Sequence, residues 1–217
     1  MFSRHDLAWL SGAGWDAVRA RALPGQHAAI AQWQREDWPA IVRRVDAGLA
    51  AGQVGLGIAL PPAPDGTKGR ISLHADGADI ARTTPALSLA DAVLAAPPCW
   101  RAALVAMALE SDDIVLRAYG SLAMQALTRQ PYLTAASDID LLLIPANLAD
   151  LRAGLALLTR HAELLPLDGE IVFPNGAAVA WKEWRDAEGR AARVLVKQAG
   201  GVRLMAPAQL LATLEDA

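Results

Sequence analysis

One apolar run carries two acids in alternate positions, and this pattern restricts both the local structure and the chemistry of the chain. The run reads Ser137-Asp138-Ile139-Asp140-Leu141-Leu142-Leu143-Ile144. Its length and aliphatic content predict a buried strand over 139–144. Because side chains alternate between the two faces of a strand, Asp138 and Asp140 project to one side while Ile139 and Leu141 face a core. Neighbouring carboxylates repel each other, so we expect a cation between them.

Mg²⁺ or Mn²⁺ together with a triphosphate suits such a pair of acids. Mg²⁺ takes oxygen ligands and is usually shared by one or two carboxylates and substrate phosphates. Upstream, Gly120 and Ser121 follow a strand predicted over 114–119 and precede a short helix. A glycine at this turn lets backbone N–H groups approach phosphate oxygens, and a helix N-terminus favours an anion. We therefore expect Gly120 and Ser121 to bind the substrate, with Asp138 and Asp140 as metal ligands and catalytic residues.

The order of the predicted elements indicates an α/β (α+β) fold in two domains. Residues 1–80 contain two tryptophan-bearing stretches and three short strands, which predict a smaller N-terminal α+β domain. Residues 81–217 alternate strands and helices, which predicts a domain around a small mixed sheet. In this second part we expect Asn147 to cap a helix over 148–161. The Asn175-Gly176 pair between two apolar runs predicts a hairpin.

The composition excludes several classes of protein. The 217 residues include 20 Lys and Arg against 23 Asp and Glu, and the formal net charge of −3 argues against a nucleic-acid-binding protein. The apolar stretch over 92–109 contains Pro97, Pro98 and Arg101, so we expect two helices there and no membrane span. The single cysteine, together with charged residues near the N-terminus, favours the cytoplasm.

A Gly-Ser turn, a helix and then an Asp-apolar-Asp strand resemble the signature of the nucleotidyltransferase superfamily. This resemblance implies a third carboxylate on a neighbouring strand, and Asp168 and Glu170 share one face of the strand predicted over 165–173. We favour Glu170 as the third metal ligand and catalytic residue, with Asp168 as the alternative because Asp168-Gly169 also suits a bend. Lys182 and Lys197 are candidates for binding the substrate phosphates, although exposed cations beside acids commonly form ordinary ion pairs.

Several short motifs spread over nearly the whole chain fit one further pattern. They are Arg4-His5-Asp6-Leu7, Arg43-Arg44, Leu60-Pro61-Pro62, Lys68-Gly69-Arg70-Ile71, 119–128, 131–133, 137–142, Asp168-Gly169-Glu170 and 180–184. Together they resemble the malonate decarboxylase holo-[acyl carrier protein] synthases, which are phosphoribosyl-dephospho-CoA transferases. The chain departs from the family pattern at two positions beside the Gly-Ser helix. Met124 stands where the family has an aromatic residue, and Arg129 where it has a glycine.

The resemblance implies a specific reaction. A phosphoribosyl-dephospho-CoA group would pass from 2'-(5''-triphosphoribosyl)-3'-dephospho-CoA to a serine of the apo acyl carrier protein subunit of malonate decarboxylase, with release of pyrophosphate. It implies a nucleotidyltransferase-like catalytic domain that uses Mg²⁺ or Mn²⁺ to neutralise and align the phosphates. The related citrate lyase carrier is an alternative acceptor, since its donor is the same.

Two other functions stay open from the residues alone. One is a nucleotidyltransferase that adenylylates another acceptor through the same metal site. The other is a non-catalytic module that docks a carrier domain. Asp138 and Asp140 argue against the docking module, because a docking surface has no need of paired acids on an apolar strand.

Overall fold

The chain divides into two compact units, Met1–Ala86 and Leu87–Ala217, each with its own sheet. The fold is mixed α/β, as the order of predicted elements indicates. The division follows Ala86 and not residue 80, because strand β5 (Ile80–Thr84) pairs with strand β1 (Leu7–Leu10) in the first unit. The structure is a computed structural model that describes residues 2–44, 49–111, 113–187, 193–198 and 200–215.

In the first unit, one helix packs against an antiparallel sheet of order β4-β3-β2-β1-β5, and a second helix packs against the first. The remaining elements of this unit are β2 (Ala40–Val42), β3 (Gln53–Ala59), β4 (Arg70–Asp76), α1 (Gly12–Arg21) and α2 (His27–Arg35). Ser11 begins α1, since its hydroxyl accepts a hydrogen bond from the Gly14 amide at 3.0 Å. Trp15 and Trp33, from the two tryptophan-bearing stretches, are buried. These tryptophans therefore serve the core of the unit.

The second unit is built on a mixed sheet of order β12-β11-β10-β9-β8-β7-β6. Its strands are β6 (Leu87–Ser88), β7 (Leu116–Ala118), β8 (Ile139–Leu143), β9 (Leu167–Val172), β10 (Ala178–Ala180), β11 (Val194–Gln198) and β12 (Gly201–Met205). The pair β8 and β9 is parallel, and the other neighbouring pairs are antiparallel. Parallel neighbours need a crossover connection, and a helix between β8 and β9 supplies it.

Most helices of the second unit begin where the sequence has a capping residue, a glycine or a proline. The helices are α3 (Leu89–Ala92), α4 (Pro98–Glu110), α5 (Gly120–Thr128), α6 (Leu148–His161), α7 (Trp181–Ala187) and α8 (Pro207–Glu215). The side chain of Asn147 accepts from the Asp150 amide at 2.9 Å and so begins α6 at the predicted residue. Pro97 and Pro98 separate α4 from α3, as predicted. In the part of the chain that the structure describes, no helix combines the length and apolar character needed to cross a membrane.

The two faces of this sheet differ in chemistry. One face carries the aliphatic residues of the main core, including Ile139, Leu141 and Leu143 of β8, Leu167 and Ile171 of β9, Val179 of β10, and Val194 and Val196 of β11. The alternating residues project from the opposite face, which we call the acid-bearing face. It carries Asp140 and Leu142 of β8, Asp168 and Glu170 of β9, Ala178 and Ala180 of β10, and Lys197 of β11.

Arg129 ends α5 in a left-handed backbone conformation, with φ 59° and ψ 16°. Glycine takes this conformation without a steric penalty, whereas a residue with a Cβ atom is destabilised there by about 1–2 kcal/mol. We expect Arg129→Gly to raise the free energy of unfolding by about 0.5–1 kcal/mol. Urea unfolding measures the change. Arg129→Ala is the matched control, since it removes the guanidinium but keeps the strain, and an equal gain from it would refute the backbone explanation.

Candidate active site

Three carboxylates meet on the acid-bearing face, at the start of the parallel pair β8 and β9. One oxygen from each of Asp138, Asp140 and Asp168 lies within 4.8 Å of the other two. Asp140 and Asp168 are register partners on neighbouring strands, and Asp138 stands directly before β8. Asp138 is exposed and the other two are half-buried. The spacing of Asp138 and Asp140 therefore places both acids as the sequence predicts, and we call these three residues the carboxylate cluster.

The loop that delivers Asp138 to the cluster is tied to α5. The Gln125 side-chain oxygen accepts hydrogen bonds from the amides of Tyr132 and Leu133, both at 3.0 Å. Burial raises the pKa of Tyr132 to about 12, so its phenol stays neutral inside the protein. The Ser137 hydroxyl accepts from the Thr134 amide at 2.9 Å and closes the last turn before Asp138. These contacts fix the approach of the chain to β8.

Gly120 brings the start of α5 directly against Asp140. It has φ 64°, and a Cβ atom built there would lie 2.2 Å from Asp140 Oδ2. The Tyr119 amide donates to the Asp140 carbonyl oxygen at 3.1 Å, which holds the end of β7 beside β8. Ser121 follows in the first turn of α5. The predicted Gly-Ser turn thus lies at the cluster, where the positive end of the helix dipole favours anions.

Gly169 allows β9 to approach β8 closely. It is the register partner of Leu141 and has φ 135°. A Cβ atom at this position would lie 1.9 Å from the Leu141 carbonyl oxygen, far inside van der Waals contact. This glycine separates the two predicted candidates for the third carboxylate, Asp168 and Glu170. The chain therefore passes between them through a position that no other residue type fits.

The structure brings Asp168, and not Glu170, into the carboxylate cluster. Glu170 is the register partner of Leu142, one pleat farther along β9. Its carboxylate is buried and accepts a hydrogen bond from Lys197 Nζ at 2.7 Å. Glu170 lies outside the cluster because the parallel register of β8 and β9 puts Asp168, and not Glu170, opposite Asp140.

The two predicted lysines contact different acids. Lys182 lies on α7, where its Nζ is 3.5 Å from Asp168 Oδ1. Both of these side chains are nearly half exposed, so the attraction between them is screened by water. Lys197 lies on β11 and contacts Glu170. One cation therefore stands beside the cluster, and the other stands one pleat away on the same face.

Arg117 is a further cation that the sequence analysis did not single out. It is the register partner of Leu142 from the β7 side, and alternation therefore puts it on the acid-bearing face. The signal in the sequence is a charged residue in the middle of a strand whose neighbours Leu116 and Ala118 are buried core residues. Arg117 therefore adds positive charge to the face that holds the acids.

The residues of the cluster fit a hard divalent cation. All three donors are carboxylate oxygens, the ligand type that Mg²⁺ and Mn²⁺ take. Three acids this close repel one another without a counter-ion. Within the described ranges, the carboxylate cluster is the group of at least three acidic, histidine or cysteine side chains that lie close enough together to hold one metal ion. The arrangement can bind a metal ion together with an anionic substrate.

Gly120→Ala should separate the geometry of the cluster from the stability of the fold. The new methyl group would collide with Asp140 Oδ2, so that carboxylate has to move. Displacing a catalytic group by about 1 Å costs roughly 10²-fold in rate. Gly176→Ala is the matched control, because Gly176 has φ 76° and no heavy atom within 4 Å of a new Cβ. We expect similar losses of melting temperature in both variants, but loss of activity in Gly120→Ala alone. Equal activity in the two would contradict this role of Gly120.

Comparison with known proteins agrees with the two-unit structure. The model of the phosphoribosyl-dephospho-CoA transferase MdcG N-terminal domain matches residues 3–86, and that of the MdcG C-terminal domain matches residues 87–208. Phosphoribosyl-dephospho-CoA transferase of Xanthomonas campestris pathovar campestris is 41% identical over 209 residues, covering 94% of each chain. The protein of the same name from Bradyrhizobium diazoefficiens is 36% identical over 209 residues, covering 93% of this chain and 89% of the relative. No solved structure matches.

Both family models and full-length relatives agree with the resemblance that the motifs show. The shared region includes every residue of the carboxylate cluster, the Gly-Ser turn and both lysines. The chain therefore belongs to the phosphoribosyl-dephospho-CoA transferase family.

Proposed function

We propose that this protein transfers the phosphoribosyl-dephospho-CoA group of 2'-(5''-triphosphoribosyl)-3'-dephospho-CoA to a serine of the apo acyl carrier protein subunit of malonate decarboxylase. The observation that carries the proposal is the carboxylate cluster, which lies against the N-terminus of α5. Membership of the transferase family supplies the class of donor. The acceptor and the leaving group are inferred from the resemblance and from the chemistry of the site.

The proposed reaction exchanges one phosphorus–oxygen bond for another. The serine oxygen forms a bond to the phosphorus of the donor's triphosphate that lies nearest the ribose. The bond from that phosphorus to the next bridging oxygen breaks, and pyrophosphate leaves with the electron pair. A carboxylate oxygen of the cluster accepts the serine proton as the new bond forms. No oxidant or reductant is required.

Asp138, Asp140 and Asp168 would hold Mg²⁺ or Mn²⁺. When bound, the metal neutralises charge on the phosphates and helps to align the attacking and leaving oxygens. Gly120 keeps the Asp140 carboxylate against the start of α5, where backbone N–H groups and the helix dipole favour phosphate oxygens. Lys182, 3.5 Å from Asp168, supplies positive charge at the edge of the cluster. These residues orient an anionic donor beside a proton acceptor.

Release of pyrophosphate tests the choice of donor and acceptor. The protein is incubated with Mg²⁺, apo carrier subunit and either 2'-(5''-triphosphoribosyl)-3'-dephospho-CoA or ATP. We expect pyrophosphate with the triphosphoribosyl donor only when the apo malonate decarboxylase carrier is present. Apo citrate lyase carrier serves as the comparison acceptor. Pyrophosphate from ATP instead would support the adenylylating alternative, and no release with either donor would support the non-catalytic one.

A further inference from the structure

A buried ion pair crosses one strand on the acid-bearing face. Glu170 of β9 is 3% exposed, and its carboxylate accepts from Lys197 Nζ of β11 at 2.7 Å. The strand between them, β10, offers little obstruction. Ala180 is the register partner of Glu170 and Ala178 that of Lys197, so two methyl side chains lie along the path of the lysine. The short side chains of β10 therefore allow the pair to form.

The pair lies next to the carboxylate cluster. Glu170 and Asp168 are two residues apart on β9, and side chains with that spacing project from the same face about 7 Å apart. Lys197 reaches this position from two strands away. Its ammonium is thereby held close to the cluster, on the face where the donor's phosphates would bind.

Glu170 and Lys197 differ in how strongly each requires a partner of opposite charge. A buried carboxylate is costly unless it is paired, so Glu170 requires a cation. Lys197 has about a third of its side chain exposed and would otherwise keep its ammonium in water. A free lysine side chain also loses conformational entropy when a ligand fixes it. Glu170 imposes that restriction before any ligand arrives.

The ammonium of Lys197 retains binding capacity in this arrangement. It has three N–H donors, and one is directed at Glu170. The remaining donors can reach an anion while the carboxylate keeps the group in place. A pair with a purely structural role could be replaced by apolar residues of similar volume without loss of binding.

We propose that Glu170 is a positioning residue that holds Lys197 in place to bind the polyphosphate of the donor. Lys197 contacts the phosphates, and Glu170 acts through Lys197. The inference rests on the proposed function for the identity of the donor. Its direct test needs only the binding of an inorganic polyphosphate.

Calorimetry with Mg²⁺ and inorganic tripolyphosphate tests the proposal on the full-length protein. Lys197→Met should weaken tripolyphosphate binding about tenfold, the effect of losing one charged hydrogen bond. Glu170→Gln should weaken it about three- to tenfold, because it leaves the lysine mobile. The double variant should bind no more weakly than Lys197→Met alone, since both residues act through one contact. Lys197→Arg should restore much of the affinity.

Arg203→Met is the matched control, because Arg203 lies on the same hairpin but opposite Val196, on the other face of the sheet. It removes one positive charge and should leave binding unchanged. Each variant's melting temperature is measured without ligand. If a single variant does not fold, Glu170→Gln/Lys197→Met decides, since it leaves no unpaired buried charge. The proposal would be overturned if that double variant bound tripolyphosphate with wild-type affinity. It would also be overturned if the losses of affinity in the two single variants added up in the double variant.

Transfer kinetics then separate this inference from the proposed function. With 2'-(5''-triphosphoribosyl)-3'-dephospho-CoA as donor, Glu170→Gln should raise the KM for the donor more than it lowers kcat. If wild-type protein binds tripolyphosphate through Lys197 but modifies no carrier, the proposed function fails while the role of the pair stands. If transfer proceeds normally in Glu170→Gln with an unchanged KM, the positioning role fails while the proposed function stands.

Discussion

Asp140→Asn should lower the rate of transfer by about three orders of magnitude while the protein stays folded. The substitution preserves the size of the side chain and removes the charge that faces both Asp138 and Asp168. Electrostatic stabilisation of the transition state usually contributes most to the rate of phosphoryl transfer, and one preorganised group accounts for about 10²–10³-fold or more. The melting temperature without metal should hold or rise, because like-charge repulsion within the cluster is relieved. Single-turnover transfer and thermal melting measure the two effects.

Asp113→Asn is the matched control for this variant. Asp113 is an exposed acid of the same unit and stands outside the carboxylate cluster. It should leave both transfer and melting unchanged. Near-normal transfer by Asp140→Asn would refute the assignment of the site. A collapsed melting temperature would show instead that the acid is structural.

Gly169→Ala should destabilise the second unit by roughly 4 kcal/mol or more. An added Cβ would lie 1.9 Å from the Leu141 carbonyl oxygen, so the parallel strands β8 and β9 would have to separate. The backbone at φ 135° adds a further penalty for a residue with a side chain. Overpacking and backbone strain each cost about 1–3 kcal/mol, and the atoms in conflict here are main-chain atoms that cannot turn aside. Chemical denaturation followed by tryptophan fluorescence measures the loss.

Gly201→Ala separates the two contributions to this effect. Gly201 also lies in a strand with an unusual φ of 145°, but a Cβ there has no heavy atom within 4 Å. It should cost about 1–3 kcal/mol, the strain contribution alone. If Gly169→Ala were no worse than Gly201→Ala, the close approach of β9 to β8 would not limit the residue at position 169.

The sequence predicts those parts of the site that depend on local spacing. Alternation along β8 places Asp138 and Asp140 together, and the Gly-Ser turn begins a helix beside them. The cap at Asn147 predicts where α6 begins. Each of these features depends on residues within one turn or one strand, so a short window of sequence contains the information.

The third carboxylate depends on contacts that are distant in the sequence. Asp168 and Glu170 project from one face, and the choice between them follows from the register of β9 against β8. That register is set partly by the Ile139 amide, which donates to the Pro166 carbonyl oxygen at 2.8 Å. A shift of two residues would have put Glu170 opposite Asp140. No local pattern in the strand distinguishes these two pairings.

Short elements and long-range pairing account for the other differences from the predicted fold. Helix α7 has seven residues and directly follows β10, and so short a helix leaves little periodic pattern in the sequence. It places Lys182 beside Asp168. The predicted boundary at residue 80 falls at the start of β5, whose partner β1 lies about 70 residues earlier. Strands that pair over such a separation in the sequence show no local pattern that identifies their partner.

The intact mass of the apo carrier subunit, measured after incubation with the protein, Mg²⁺ and 2'-(5''-triphosphoribosyl)-3'-dephospho-CoA, tests the central claim most directly. We predict that each carrier gains the mass of one phosphoribosyl-dephospho-CoA group. The gain should disappear when the acceptor serine of the carrier is changed to alanine, and when Asp140→Asn replaces the wild-type protein. An unchanged carrier mass with this donor, or the gain of an adenylyl group from ATP, would contradict the account.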